Sequence, residues 1–140
     1  MRRTYGGPRF GVGVIIKRDG RILLGKRKGS HGAGTWSFPG GKPNSFESIE
    51  NCAIRETREE TGLRVILDKM QRRLFTEDFF YDEDFHYITH YVEARHAGGE
   101  AQIMEPDKCS EWDWFFWDNL PAPLFLPVRN LIKQGYNPFY

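Results

Sequence analysis

Residues 55–62, RETREETG, place glutamates at positions 56, 59 and 60. Wound into a helix at about 100° per residue, Glu56, Glu59 and Glu60 fall within one arc of about 100°, and Ile49, Cys52 and Ala53 share it. The opposite side carries Asn51, Arg55 and Arg58, where a solvated face should put its charge. Three carboxylates about 6 Å apart repel by roughly 3 kcal/mol per pair at an effective dielectric near 20, before any desolvation cost. Acids on the apolar side of a helix therefore require a cation among them. Hard divalent ions such as Mg²⁺ take oxygen ligands and share coordination between carboxylates and phosphates, so the pattern points to magnesium-dependent phosphate chemistry.

The elements that must hold these groups follow from turn and periodicity signals. FGVGVIIKRDGRILLGKR (10–27) reads as a hairpin closed by Asp19-Gly20, since glycine accepts the positive φ of a two-residue turn. KGSHGAGTWSFPGGK (28–42) is too rich in glycine for a long element and reads as loop, short strand, loop. The spacing predicts a helix over 44–61, with Asn44 or Ser45 as its N-cap and Gly62 as a left-handed C-cap. Alternating apolar residues predict strands within 63–81 and 85–96, AGGEA (97–101) reads as a turn into another strand, and EWDWFFW (111–117) alternates again. PVRNLIKQG (127–135) reads as a terminal helix with proline in its first turn and Gly135 at its close.

A length of 140 residues with 39% hydrophobic content suits one domain, 1–140, with a sizeable core. A formal net charge of +1 gives no global attraction for nucleic acid or membrane, so a polyanion must be met locally, and Lys26, Arg27 and Lys28 are the candidates. No apolar run approaches the ~20 residues of a membrane span, and MRRTYGGPRF lacks an export signal. Two cysteines without CxxC spacing, Cys52 and Cys109, fit a reduced, cytoplasmic protein. His86 and His90 share a strand face with Ile88 and Val92 nearby, which argues for packing rather than a zinc site.

Residues 41–63, GKPNSFESIENCAIRETREETGL, resemble the Nudix box, Gly-x5-Glu-x7-Arg-Glu-U-x-Glu-Glu-x-Gly-U, at Gly41, Glu47, Arg55, Glu56, Glu59, Glu60, Gly62 and Leu63. Thr57 departs from the aliphatic residue usual there, and a β-branched side chain can pack in its place. At average composition such a match arises by chance on the order of once in 10⁸ to 10⁹ starting positions. The resemblance implies an α/β/α sandwich around a mixed sheet, with the box forming a loop-helix-loop. It implies that Glu56 and Glu60 ligate Mg²⁺, or Mn²⁺ in its place, with the Gly40 carbonyl as a third ligand. Glu59 would bind a further metal or orient the attacking water, and Glu105 would supply another ligand or the base. Glu47 and Arg55 resemble the family's ion pair, the alternative for Glu47 being a capping-box partner of Asn44.

Over nearly the whole chain the flanks resemble small MutT-type nucleoside triphosphate diphosphatases, including animal and plant enzymes of ordinary and modified purine or pyrimidine triphosphates. This implies release of a nucleoside monophosphate and pyrophosphate from a small-molecule nucleotide, with no stable nucleic-acid complex and with a homodimer as the common assembly. Arg27 is the first choice for phosphate contact, while Ser37, Phe38, Thr89, Phe125, Leu126 and Arg129 match regions that shape or support the base pocket. Two rivals are a pyrophosphatase of ADP-ribose or nucleotide sugars and a nonenzymatic nucleotide sensor, a class that generally loses box glutamates.

Overall fold

In the computed structural model, β1 (Arg9–Arg18) and β2 (Arg21–Arg27) meet at Asp19 and Gly20, with φ of 50° and 75°. Both turn residues thus occupy the left-handed region that a tight hairpin demands. Residues 6–29 and 31–140 are described. Residues 1–5, part of the stretch read as lacking an export signal, and Ser30 of the glycine-rich loop lie outside the described residues.

The remaining elements are β3 (Trp36–Ser37), β4 (Gly40–Gly41), α1 (Ile49–Thr61), β5 (Arg64–Leu67), β6 (Leu74–Phe80), β7 (Phe85–Gly98), β8 (Cys109–Phe116) and α2 (Leu126–Lys133). Eight strands form one sheet with the path β3-β2-β1-β7-β5, while β4 pairs with β1, β6 with β7 and β8 with β2. Only the β1–β7 pair is parallel, from Arg9↔Tyr87 to Lys17↔Arg95, so the sheet is mixed. Strand alternation sorts the core into two layers. Val12, Val14, Ile16 and Leu23 pack with Cys52 and Ala53 of α1, whereas Ile15, Ile22 and Leu24 pack with Val128 and Leu131 of α2. The result is the expected α/β/α arrangement, a helix on each face of a mixed sheet. No helix among the described residues is long and apolar enough to cross a membrane.

Three elements differ from their sequence reading. The principal helix starts at Ile49 with Ser48 as N-cap, whose hydroxyl accepts from the Asn51 N–H at 3.0 Å, rather than at Asn44 or Ser45. Phe46 stands at φ 64°, a left-handed kink that stops the helix from extending backwards and that no glycine announces. At the other end Gly62 caps as expected, at φ 76°. The terminal helix runs Leu126–Lys133 rather than 127–135. The AGGEA turn does not lead directly into another strand. Residues 99–108 instead run as loop past the end of α1, where Gln102 N–H donates to Thr61 O at 2.9 Å and Met104 N–H to Glu60 O at 3.4 Å. These donors satisfy carbonyls that a helix end leaves unpaired.

Candidate active site

The box helix and the β3–β4 segment bring the acids to one end of a cavity of about 490 Å³. Glu60 and Glu105 line it beside Gly40, Gly41 and Lys108. Only glycine fits at Gly40, where a Cβ would stand 2.0 Å from the backbone Val12 O, whereas a Cβ on Gly41 would stand 2.4 Å from the Glu56 carboxyl carbon and displace that side chain. The Gly40 N–H donates to Glu60 Oε2 at 3.0 Å.

Arg55 is the organising cation, and its side chain does not join the solvated face on which helical spacing places it. Its Nε and Nη2 grip Glu47 at 2.8 and 2.9 Å, and Nη1 reaches Glu56 at 2.8 Å and Glu59 at 3.1 Å. Glu47 also accepts from the Asn44 N–H at 3.0 Å, so it serves both as ion-pair partner and as turn cap. Arg55, above all, holds the Glu47 carboxyl down to about 2. Glu59 lies at the rim, its side chain 50% exposed.

Glu60 is treated differently. Burial, reinforced by the nearby charges of Glu56 and Glu105, pushes its carboxyl up to about 8 against the Gly40 hydrogen bond and Lys108. Burial likewise raises Glu56 despite Arg55. An oxygen-only donor set with repelling carboxylates and a glycine cradle fits a hard divalent cation. Among the described residues no group of three or more His, Cys, Asp or Glu side chains is already gathered to hold a metal, because Glu56 is turned toward Arg55.

The cavity's far end is aromatic. His31, Phe80, Tyr87 and Phe125 wall it, with ring centroids of 4.6 Å for His31–Phe80, 5.3 Å for His31–Phe125 and 5.6 Å for Phe80–Phe125. Arg27 lines the cavity with its guanidinium 4.0 Å from the Phe125 ring centroid and its Nε donating to His31 O at 3.1 Å. Burial lowers that guanidinium from its ordinary value. Ser37, Phe38 and Thr89 also line the cavity, but Leu126 and Arg129 do not. At the helix start it is Pro127 and Val128 that face inward, since only one side of α2 meets the sheet.

Sequence reasoning missed Gly11, Gly13, Phe80, Tyr87 and Tyr91, all of which line the cavity. The available signal was GVGV: on a strand its valines share one face, here the α1 core, and its glycines the other, here the cavity floor. His86 and His90 lie on the opposite face of β7, stacked on Phe79 at 4.9 Å and Phe75 at 5.8 Å.

The family profile described as NUDIX domain matches residues 7–134. An ADP-ribose pyrophosphatase of Methanocaldococcus jannaschii is 32% identical over a stretch covering 88% of this chain and 70% of that protein. An oxidized purine nucleoside triphosphate hydrolase of Danio rerio is 37% identical over 77% of this chain and 66% of its own length. The chain thus spans about two thirds of the length of these relatives. A crystal structure of a MutT NUDIX hydrolase from Burkholderia pseudomallei matches with a TM-score of 0.82 and 35% identity, covering 94% of this chain and 100% of that one.

Proposed function

The chain belongs to the NUDIX domain family, and from that premise we propose that it is a Mg²⁺-dependent nucleoside triphosphate pyrophosphohydrolase releasing nucleoside monophosphate and pyrophosphate. As a NUDIX hydrolase it acts on nucleotide derivatives. The observation that carries the finer reading is one cavity lined by carboxylates and cations together with aromatic rings and hydroxyls, a mixture suited to a triphosphate and a base.

Glu60 and Glu56 would hold the ion with the Gly40 carbonyl, and Glu105 adds a carboxylate from the facing loop. Bound there, Mg²⁺ would neutralise phosphate oxygens and lower the pKa of a coordinated water. Glu59, half exposed, would orient water or accept its proton. Glu47 holds Arg55, which in turn fixes Glu56 and Glu59. Arg27, Lys26 and Lys28 line the cavity and would meet phosphates. Phe125 and Tyr87 offer faces for a base. Oxidised or otherwise modified nucleotides fall within the proposed substrate range, as in the Danio rerio relative. Two free cysteines suit a reducing, cytoplasmic setting.

The test is pyrophosphate release across nucleoside triphosphates, ADP-ribose and dinucleoside polyphosphates with and without Mg²⁺. Metal-dependent turnover of triphosphates is expected to dominate. The second reading, an ADP-ribose pyrophosphatase, is favoured by the Methanocaldococcus jannaschii relative, and preferential cleavage of ADP-ribose would establish it instead.

A further inference from the structure

Behind the cavity floor lies a carboxylate that the proposed chemistry does not use. Asp78 is fully buried on β6, next to Thr76 at 1% exposure. Its Oδ2 accepts from Thr89 Oγ1 at 2.6 Å and from Thr76 Oγ1 at 3.1 Å, and its Oδ1 accepts from Asn130 Nδ2 at 2.9 Å. Both threonine hydroxyls point their protons at this one carboxylate oxygen. Thr76 Oγ1 also lies 2.8 Å from Tyr91 Oη. With its own proton committed to Asp78, Thr76 can only accept from Tyr91, whose alternative acceptor is Pro127 O at 3.2 Å.

Thr89 and Tyr91 both line the cavity, and the Thr89 hydroxyl proton points away from it to Asp78. The Tyr91 hydroxyl is buried among Thr76, Thr89 and Pro127 O. What the Thr89 oxygen can offer inward is therefore a lone pair. Gly11 and Gly13, in register with Thr89 and Tyr91, keep this floor bare. A Cβ on Gly13 would come within 3.0 Å of the Tyr91 ring, and one on Gly11 within 4.0 Å of Thr89 Oγ1.

We infer that Asp78 is a positioning residue that fixes Thr89 as a hydrogen-bond acceptor, so that the cavity beside Gly11 and Gly13 selects bases presenting N–H donors. This rests on the reading of the cavity as the nucleotide site. A base without an N–H leaves the Thr89 oxygen without the hydrogen bond it is set to receive, which is where a polar site discriminates most strongly.

The experiment compares kcat/KM for paired triphosphates that share sugar and phosphates: ATP against purine riboside triphosphate, and CTP against pyrimidin-2-one riboside triphosphate. The second member of each pair has no N–H on its base. The wild type is expected to favour the amino-bearing member by roughly tenfold or more, chiefly through KM. Thr89→Val should cut that ratio several-fold, and Thr89→Ser should restore it. Asp78→Asn puts an amide beside Thr89 and lets its hydroxyl proton turn inward, so the ratio falls although Thr89 is intact. Circular dichroism checks that the variants fold; an unchanged ratio in folded Asp78→Asn overturns the role of Asp78, and where Asp78→Asn does not fold, loss of the ratio in Thr76→Val, which leaves the Thr89–Asp78 bond in place, overturns it instead. Calorimetric binding of the corresponding monophosphates asks the same question without turnover, so failure of triphosphate hydrolysis is distinguishable from failure of base selection. A wild-type ratio near one, no discrimination between the monophosphates, or an unchanged ratio in folded Thr89→Val would overturn the proposal.

Discussion

Glu60 and Glu93 are acidic side chains set within the same fold, with opposite surroundings. Glu93 is 1% exposed and receives the Arg72 Nε at 3.0 Å, a second Arg72 nitrogen, and the Tyr136 hydroxyl at 2.8 Å. Burial acts to raise its carboxyl, but Arg72 and Tyr136 outweigh that and hold it below the usual range. Glu60 receives a backbone N–H, faces Glu56 and Glu105, and is pushed up to about 8. The residue type is the same and the chemistry is not. A carboxylate supplied with an internal cation ties the fold together, here joining the β5–β6 connection to the C-terminal segment through Arg72. One left among other acids is available to an external cation.

The comparison predicts that the two sites fail in different ways. Glu60→Gln should lower kcat by about 10³-fold or more while the melting temperature stays level or rises, because Glu60 has no internal cation to lose and glutamine can still accept from the Gly40 N–H. Steady-state kinetics beside a thermal melt checks both halves. Glu93→Gln should do the reverse, costing about 3 kcal/mol in denaturant unfolding. That figure takes the lower end of the range because the Arg72 side chain is 35% exposed. Its folded fraction should keep the wild-type dependence on Mg²⁺, and a change in that dependence would show that the sites are coupled.

Gly41→Ala tests the cradle with a smaller expected effect. Its Cβ would stand 2.4 Å from the Glu56 carboxyl carbon, so Glu56 must move, and turnover should drop about tenfold with little loss of stability. Wild-type turnover in this variant would mean that Glu56 is not needed at its observed position. The smallest effect is in the acid limb of stability. Because the folded Glu93 carboxyl lies below its ordinary value, its contribution is present above the unfolded pKa of about 4.3 and is lost as pH falls through the folded one. Unfolding free energy should therefore decline below about pH 4.3, and Glu93→Gln should flatten that decline.

How much of this was legible depended on whether the determinant is local. The acids at 56, 59 and 60, the Asp19-Gly20 turn and the Gly62 cap are written in spacing and residue type, and the structure has the turn and the cap where they were expected. The helix start was not legible, because Phe46 adopts φ 64° while its residue type announces nothing. Nor was the reach of Arg55: angular position places a Cβ, not the end of a long side chain, which here folds back across the acids. The aromatic wall was hidden for another reason. Phe80, Tyr87 and Phe125 come from three separate segments and meet only after β6, β7 and the start of α2 are packed. Asp78 carries no signal of its own in the sequence; pairing of β6 with β7 is what sets it beside Thr89.

The proposed role of Glu60 in holding a divalent cation is tested most directly with Mg²⁺ alone. Melting temperature is followed against Mg²⁺ concentration for the wild type, Glu60→Gln and Glu93→Gln, since a ligand that binds only the folded chain stabilises it by mass action. The predicted result is a saturable rise in the wild type and in Glu93→Gln, with at least a tenfold higher midpoint in Glu60→Gln. Identical midpoints in all three proteins, or no rise in the wild type, would contradict it.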